Sequence, residues 1–126
     1  MRKVIQINGA PDPVGPYSQA VLSGATLYIS GQIPMNPISG ELKTSNIKES
    51  TDQVLKNIKN LLEAADMTLN NVVKCSIFLK NMEDFIIVNE VYAKYFNDIP
   101  PARETVEVSK LPLNVNIEIS CIAIKD

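Results

Sequence analysis

Between Ile47 and Ala65, apolar or small side chains return at three- and four-residue steps, at Ile47, Thr51, Val54, Leu55, Ile58, Leu61, Leu62 and Ala65. Lys48, Asp52, Lys56, Lys59 and Glu63 fall mostly on the opposite side. This pattern restricts the fold more than any other feature, because a helix with one broad apolar stripe is stable in water only when another layer covers it. Asn46 and Glu49 stand at the spacing of a capping box, in which a short polar side chain and a longer one three residues on satisfy orphan backbone donors. The helix is therefore expected to start near Asn46. The covering layer is expected to be a sheet, since β-favouring runs lie on both sides of the helix: residues 4–7, 18–22 and 26–30 before it, and 72–79, 103–108 and 115–124 after it.

The connection Ser23-Gly24-Ala25 points to an antiparallel hairpin. Residues 9–16, dense in Gly and Pro, can join neither a helix nor a central strand and read as an ordered loop. A second amphipathic segment, residues 82–96, sets Phe85, Val88, Tyr92, Tyr95 and Phe96 at helical spacing; Pro100-Pro101 forbids continuation, so this helix is expected to end near Asn97. In the last strand Val115, Ile117, Ile119, Cys121 and Ala123 share one face, and Asn116, Glu118, Ser120, Ile122 and Ile124 share the other. The order of elements reads as an α+β fold in one domain, residues 1–126, with a mixed sheet and both helices on one face. The other sheet face carries Ile122 and Ile124 beside polar groups, a half-apolar surface for which self-association is the natural remedy.

Composition removes whole classes of chemistry. There is no histidine, which excludes Ser-His-Asp and Cys-His catalysis, imidazole bases and His-ligated metals. Twelve Lys and Arg against fourteen Asp and Glu leave a formal net charge of −2, so no overall positive field attracts polyanions and nucleic-acid binding is disfavoured. Cys75 and Cys121 each sit in an apolar stretch, the setting of small buried hydrophobes rather than of a disulfide framework. No apolar run approaches the ~18 residues of a membrane span. Met1-Arg2-Lys3 precedes only a very short apolar run with no cleavage-site pattern, and a cytoplasmic protein is expected. With no P-loop, dinucleotide glycine fingerprint, CxxC or EF-hand loop, neither a cofactor nor a structural metal is expected. Glu83-Asp84 reads as first-turn charge complementing a helix dipole rather than as a metal ligand pair.

The remaining candidates are carboxylates, Arg, Tyr, Ser, Thr and backbone amides. Rigid prolines put Arg103 at the opening of a strand, where it is either a solvated strand-end charge or a receiver for a carboxylate through two parallel charge-assisted bonds. Glu118, away from the apolar face, is either solvated or part of a site. Tyr17 follows Gly15-Pro16 and either anchors packing or presents a hydroxyl from a rigid loop. Ser30-Gly31 is either an ordinary strand end or a place where a hydroxyl and unhindered amides face a ligand. Asn89 interrupts the second apolar stripe, as a cap for a buried backbone group or as a pocket residue.

Several ordered motifs spread over the whole chain resemble the RidA (YjgF) family of enamine/imine deaminases. They are Gly15-Pro16-Tyr17-Ser18-Gln19-Ala20, Tyr28-Ile29-Ser30-Gly31-Gln32-Ile33-Pro34, Val88-Asn89-Glu90-Val91-Tyr92, Pro101-Ala102-Arg103-Glu104-Thr105-Val106-Glu107-Val108, Leu111-Pro112 and Ile117-Glu118-Ile119. The resemblance implies a chorismate-mutase-like fold and a homotrimer whose sheets line a central barrel, with three clefts between subunits. It implies a cofactor-independent deaminase acting on 2-aminoacrylate, 2-iminobutanoate, 2-iminopropanoate and related species released by pyridoxal-phosphate dehydratases, in the service of metabolite damage control. On the same footing, Arg103 grips the substrate carboxylate, Glu118 positions or protonates around the attacking water, and Tyr17, Ser30, Gly31, Asn89 and Thr105 line the pocket. Two other readings are a non-catalytic binder of small carboxylates, and the endoribonuclease or translation-inhibitor activity described for some relatives, against which the acidic balance and missing histidine argue. Where many relatives carry Ser-Cys after the key arginine, this chain has Glu104-Thr105; Thr105 still offers its amide and a hydroxyl, and strand alternation is expected to turn Glu104 away from Arg103. Leu113-Asn114 stands where relatives often carry Lys-Asp.

Overall fold

The stripe between Ile47 and Ala65 forms helix α1 (Ile47–Ala64), and the layer it covers is a single six-stranded sheet. The computed structural model describes all 126 residues. Its strands are β1 (Arg2–Ile5), β2 (Ala20–Ser23), β3 (Thr26–Gln32), β4 (Val72–Leu79), β5 (Ala102–Glu107) and β6 (Ile117–Ile124), in the spatial order β1-β2-β3-β6-β4-β5. Helix α2 (Phe85–Tyr95) makes the crossover between β4 and β5, the one parallel pair; every other pair is antiparallel. This is the α+β arrangement expected from the order of elements. No helix is long and apolar enough to cross a membrane.

Val54, Leu55, Ile58, Leu61 and Leu62 of α1 are fully buried against β3, β6 and α2. Each such side chain contributes about 1.5–3 kcal/mol relative to exposure, an upper figure given that unfolded chains are partly collapsed. Asn46 is the N-cap, its Oδ1 accepting the Glu49 N–H at 2.8 Å. Only this half of the capping box forms, because the Glu49 carboxylate instead accepts from Ser45 Oγ at 2.7 Å. One polar residue interrupts the buried side of α1. Asn57 Nδ2 donates to the carbonyls of Met35 (2.9 Å) and Ile33 (3.3 Å), while its Oδ1 accepts from Gln53 at 2.9 Å. The helix thereby holds the segment leaving β3.

The helix-facing side of the sheet is a continuous apolar layer of Leu27, Ile29, Ile77, Leu79, Ile117, Ile119 and Ala123, with Cys75 and Cys121 as free thiols directly opposite one another on β4 and β6. The two cysteines are thus the buried small residues they read as. The outer face mixes Ser76, Ser120 and Glu104 with exposed Val4, Tyr28, Val106 and Ile124 and partly buried Phe78 and Ile122, so it is half-apolar as expected.

Several boundaries differ from expectation: β3 runs on to Gln32 rather than ending at 30, β5 spans Ala102–Glu107 rather than 103–108, and four others have an identifiable cause. The first strand runs over Arg2–Ile5 rather than 4–7, because the ladder with β2 ends at Ile5↔Ala20 and the Ile7 N–H goes to Gln19 Oε1 at 3.0 Å. The second runs over Ala20–Ser23 rather than 18–22, since the Ser18 carbonyl accepts from Ser30 Oγ, outside the ladder. The second helix begins as a 3-10 turn at Met82–Asp84, capped by Asn81, before α2 proper. The last strand starts at Ile117 rather than 115, because Leu113 and Asn114 adopt positive φ (55° and 56°) in the turn that follows Pro112.

Candidate functional site

The sequence-derived site residues fall into two groups. The first is built on the outer face, where β3 meets β6. Ile29 pairs with Cys121 and Gln32 with Ile119, so three steps on β3 match two on β6 and a bulge forms at Ser30-Gly31. The bulge turns Gly31 toward Glu118: a Cβ added there would stand 2.6 Å from Glu118 Cδ and 3.0 Å from Cγ. Only the absence of a side chain at position 31 lets the carboxylate lie over this strand. Ser30 is fixed by donating its hydroxyl to the Ser18 carbonyl (2.6 Å) and its N–H to the Gln19 carbonyl (2.9 Å). Tyr17, Gln19, Gly31 and Asn57 border a cavity of about 510 Å³ that also takes in Leu113. Tyr17 is exposed rather than a packing anchor.

Glu118 makes no hydrogen bond or ion pair, and burial pushes its carboxyl above the ordinary 4.5. The folded chain therefore holds this proton more tightly than the unfolded chain. Below about pH 4.5 both states are protonated and nothing is lost; above it, ionisation of Glu118 works against folding. With no cation beside it, Glu118→Gln is expected to unfold at higher urea than the parent at pH 7, the advantage fading as the pH falls through the ordinary carboxyl range, whereas a neighbouring chain's guanidinium at that carboxylate would reverse the sign. Urea midpoints of both proteins from pH 3.5 to 7 check this, and a gain that stays constant across roughly that span contradicts it.

The second group lies on the helix side of the sheet. Arg103 is aligned with Cys75 on β4, which is aligned with Cys121 on β6, so its side chain enters the layer between the sheet and α2. There the guanidinium lies over two rings of α2, 4.9 Å from the centre of Tyr92 and 5.7 Å from that of Phe85. Phe85, Asn89, Tyr92 and Phe96 recur at steps of four, three and four, which places half-buried Asn89 on the same stripe. Thr105 follows Arg103 on the same face, and its Oγ1 and the Tyr92 hydroxyl are buried without a hydrogen bond of normal geometry. Burial, then the neighbouring Cys75 thiol, pushes the Tyr92 phenol well above its usual range.

Arg103 belongs to none of the ion pairs, which all engage lysines: Lys43–Glu41, Lys56–Asp52 and Lys74–Glu104. Glu104 points to the outer face, where Ser76 donates to it and Lys74 pairs with it at 2.9 Å. First the Ser76 hydrogen bond and then Lys74 hold its carboxyl below the ordinary value. Strand alternation thus disposes of Glu104 as anticipated. What it does not do is bring Arg103 and Glu118 together. Glu118 is aligned with Phe78 on the outer face, Arg103 with Cys75 on the inner one, and the sheet separates them. Nowhere do three or more Cys, Asp or Glu side chains converge as metal ligands do.

Two contributors escape a reading of the sequence. Asn57 is detectable only by its helical phase, a polar residue three after Val54 and four before Leu61 on the stripe. Phe85 and Tyr92 read as ordinary core positions, and nothing in their spacing indicates that an arginine packs on them.

The endoribonuclease L-PSP family model matches residues 7–125. A RutC family protein of Pyrococcus horikoshii is 53% identical over 126 residues, covering 100% of both chains. The human 2-iminobutanoate/2-iminopropanoate deaminase is 46% identical over 125 residues, covering 99% of this chain and 91% of that one. The crystal structure of Escherichia coli TdcF with bound serine superposes with a TM-score of 0.92 at 34% identity, covering 98% of this chain and 99% of that one.

Proposed function

Because the chain belongs to the endoribonuclease L-PSP family, the RidA-like family its motifs resemble, we propose that it is an imine deaminase whose active site is shared between subunits. The carrying observation is a guanidinium without a counter-ion on one sheet face and a carboxylate without a partner on the other. Each is half of a site. In a ring of three chains, the half-apolar outer faces pack inward around a barrel and each Glu118 meets the Arg103 of a neighbour. The whole-length similarity to a protein named 2-iminobutanoate/2-iminopropanoate deaminase supports this chemistry, and the similarity to a structure holding serine supports a ligand with a carboxylate.

In the proposed reaction a 2-imino acid, R–C(=NH)–COO⁻, takes up one water and gives the 2-keto acid and ammonia. Arg103 receives the carboxylate through parallel N–H donors and fixes the C=N carbon. Glu118 holds the water, accepts a proton as the water adds and returns one to the departing nitrogen. Tyr17 and the Gly31 amide stabilise the charge that develops at the carbinolamine. No cofactor takes part, and the barrier to be removed is modest because imines of this kind hydrolyse readily in water.

A dehydratase that releases 2-aminoacrylate, coupled to keto-acid detection, tests the reading. The parent is expected to speed keto-acid appearance, and Arg103→Ala to lose at least about 100-fold of that effect. A parent that binds 2-keto acids without accelerating their release is a binder, not an enzyme. A sedimentation mass of one chain contradicts the shared site.

A further inference from the structure

An arginine held for an incoming anion poses a difficulty. Its long side chain must be fixed, yet the usual way of fixing it, a carboxylate across its fork, consumes the donors and the charge needed for the ligand. We propose that Phe85 and Tyr92 are positioning residues that hold Arg103 by its faces, leaving its edge of N–H donors uncommitted for the anionic end of the substrate. This rests on the reading of Arg103 given above and adds how that arginine is kept ready.

The guanidinium lies 4.9 Å from one ring centre and 5.7 Å from the other, both within the range of cation–π attraction. Tyr92 is itself well packed: it is buried, and Phe96 lies on it at 4.6 Å between centres with the rings tilted by 40°. Phe85 and Tyr92 stand seven residues apart on one face of α2 and Phe96 is its C-cap, so the helix and its cap carry the whole stack. The nearest carboxylate in sequence, Glu104, is committed to Ser76 and Lys74 across the sheet. An anion-binding arginine is thus oriented without being neutralised.

The test measures binding of 2-oxobutanoate, a 2-keto acid, by calorimetry to the parent and to Arg103→Ala, Tyr92→Leu, Tyr92→Phe and Phe85→Leu, with urea unfolding and sedimentation confirming fold and assembly. Tyr92→Leu is expected to weaken binding about 5- to 30-fold, and the more distant Phe85→Leu about 2- to 5-fold. In turnover the loss is expected in KM, with kcat changed far less, because the ring acts only through the placement of Arg103. Tyr92→Phe keeps the ring and is expected to recover affinity close to the parent, a rescue that hydroxyl loss alone would not give. Independently of ligand, the Arg103 side-chain NMR signals are expected to lose their ring-current displacement in Tyr92→Leu. Loss of binding in Arg103→Ala together with unchanged binding in Tyr92→Leu and Phe85→Leu overturns the aromatic clamp and leaves the role of Arg103 standing. Unchanged binding in Arg103→Ala overturns that role, and the clamp with it. Should Tyr92→Leu fail to fold, Phe85→Leu, at a half-exposed position, decides the matter.

Discussion

Unfolding Arg103→Ala and Glu118→Ala chains together and refolding them in equal amounts is expected to restore about a quarter of the parent's activity, although each variant alone is nearly inactive. The expectation follows from the placement of the two residues. They stand on opposite faces of one sheet, so neither can reach the other within a chain. In the proposed ring, each site takes Arg103 from one member and Glu118 from the next. With random mixing, about half the chains at each position keep the arginine and about half of their neighbours keep the glutamate, so about one site in four is whole. Refolding each variant by itself is the control, and mixing without unfolding checks that exchange is required. Mixed rings that stay as inactive as the separate variants would show that each site draws on a single chain, against the fold described here.

Gly31→Ala is expected to separate activity from stability more cleanly than any change to a charged residue. The new methyl group would stand 2.6 Å from Glu118 Cδ, and what it meets is the carboxyl end of a flexible side chain rather than backbone. The fold has an easy escape, a rotation of Glu118, while the site does not. Activity in the dehydratase-coupled assay is expected to fall about as far as in Glu118→Ala, roughly 100-fold or more, because a water held even 1 Å out of place loses most of its value. The urea midpoint is expected to shift little, since the position is not at positive φ and the collision is relieved by one side-chain rotation. A large loss of stability with proportionate loss of activity would mean that position 31 serves the β3 bulge alone.

How much of this was legible beforehand depends on whether the signal is local. The stripe of α1, its Asn46 cap and the strand Val72–Leu79 are written in periodicity and capping chemistry, and they stand where a reading of the residues puts them. The alternation in the last strand likewise assigns Glu118 to the outer face. Where the first strand's boundary moved, a long-range bond had decided it: Gln19 captured the Ile7 N–H. The β3 bulge was hidden for the same reason: Ser30-Gly31 reads as a strand end, whereas its register shift is set by β6, nearly ninety residues on. For the candidate site, the motifs named the residues but not their faces. Arg103 sits one position from Glu104 in a strand, so alternation puts them on opposite sides, yet which of the two faces α2 is fixed by the alignment with Cys75.

One further consequence attaches to the position of β5. It is the last strand of the sheet, paired only with β4, and its outer edge presents unpaired backbone groups. Open edges recruit strands from other molecules unless something deters them, and here the deterrents are the Pro100-Pro101 entry and the charges of Arg103, Glu104 and Glu107. Arg103 therefore guards against sheet growth as well as serving the proposed site. An apolar replacement there both removes the cation of the proposed site and strips charge from a β-rich edge, so poor solubility of such a variant would reflect the edge and not damage to the core.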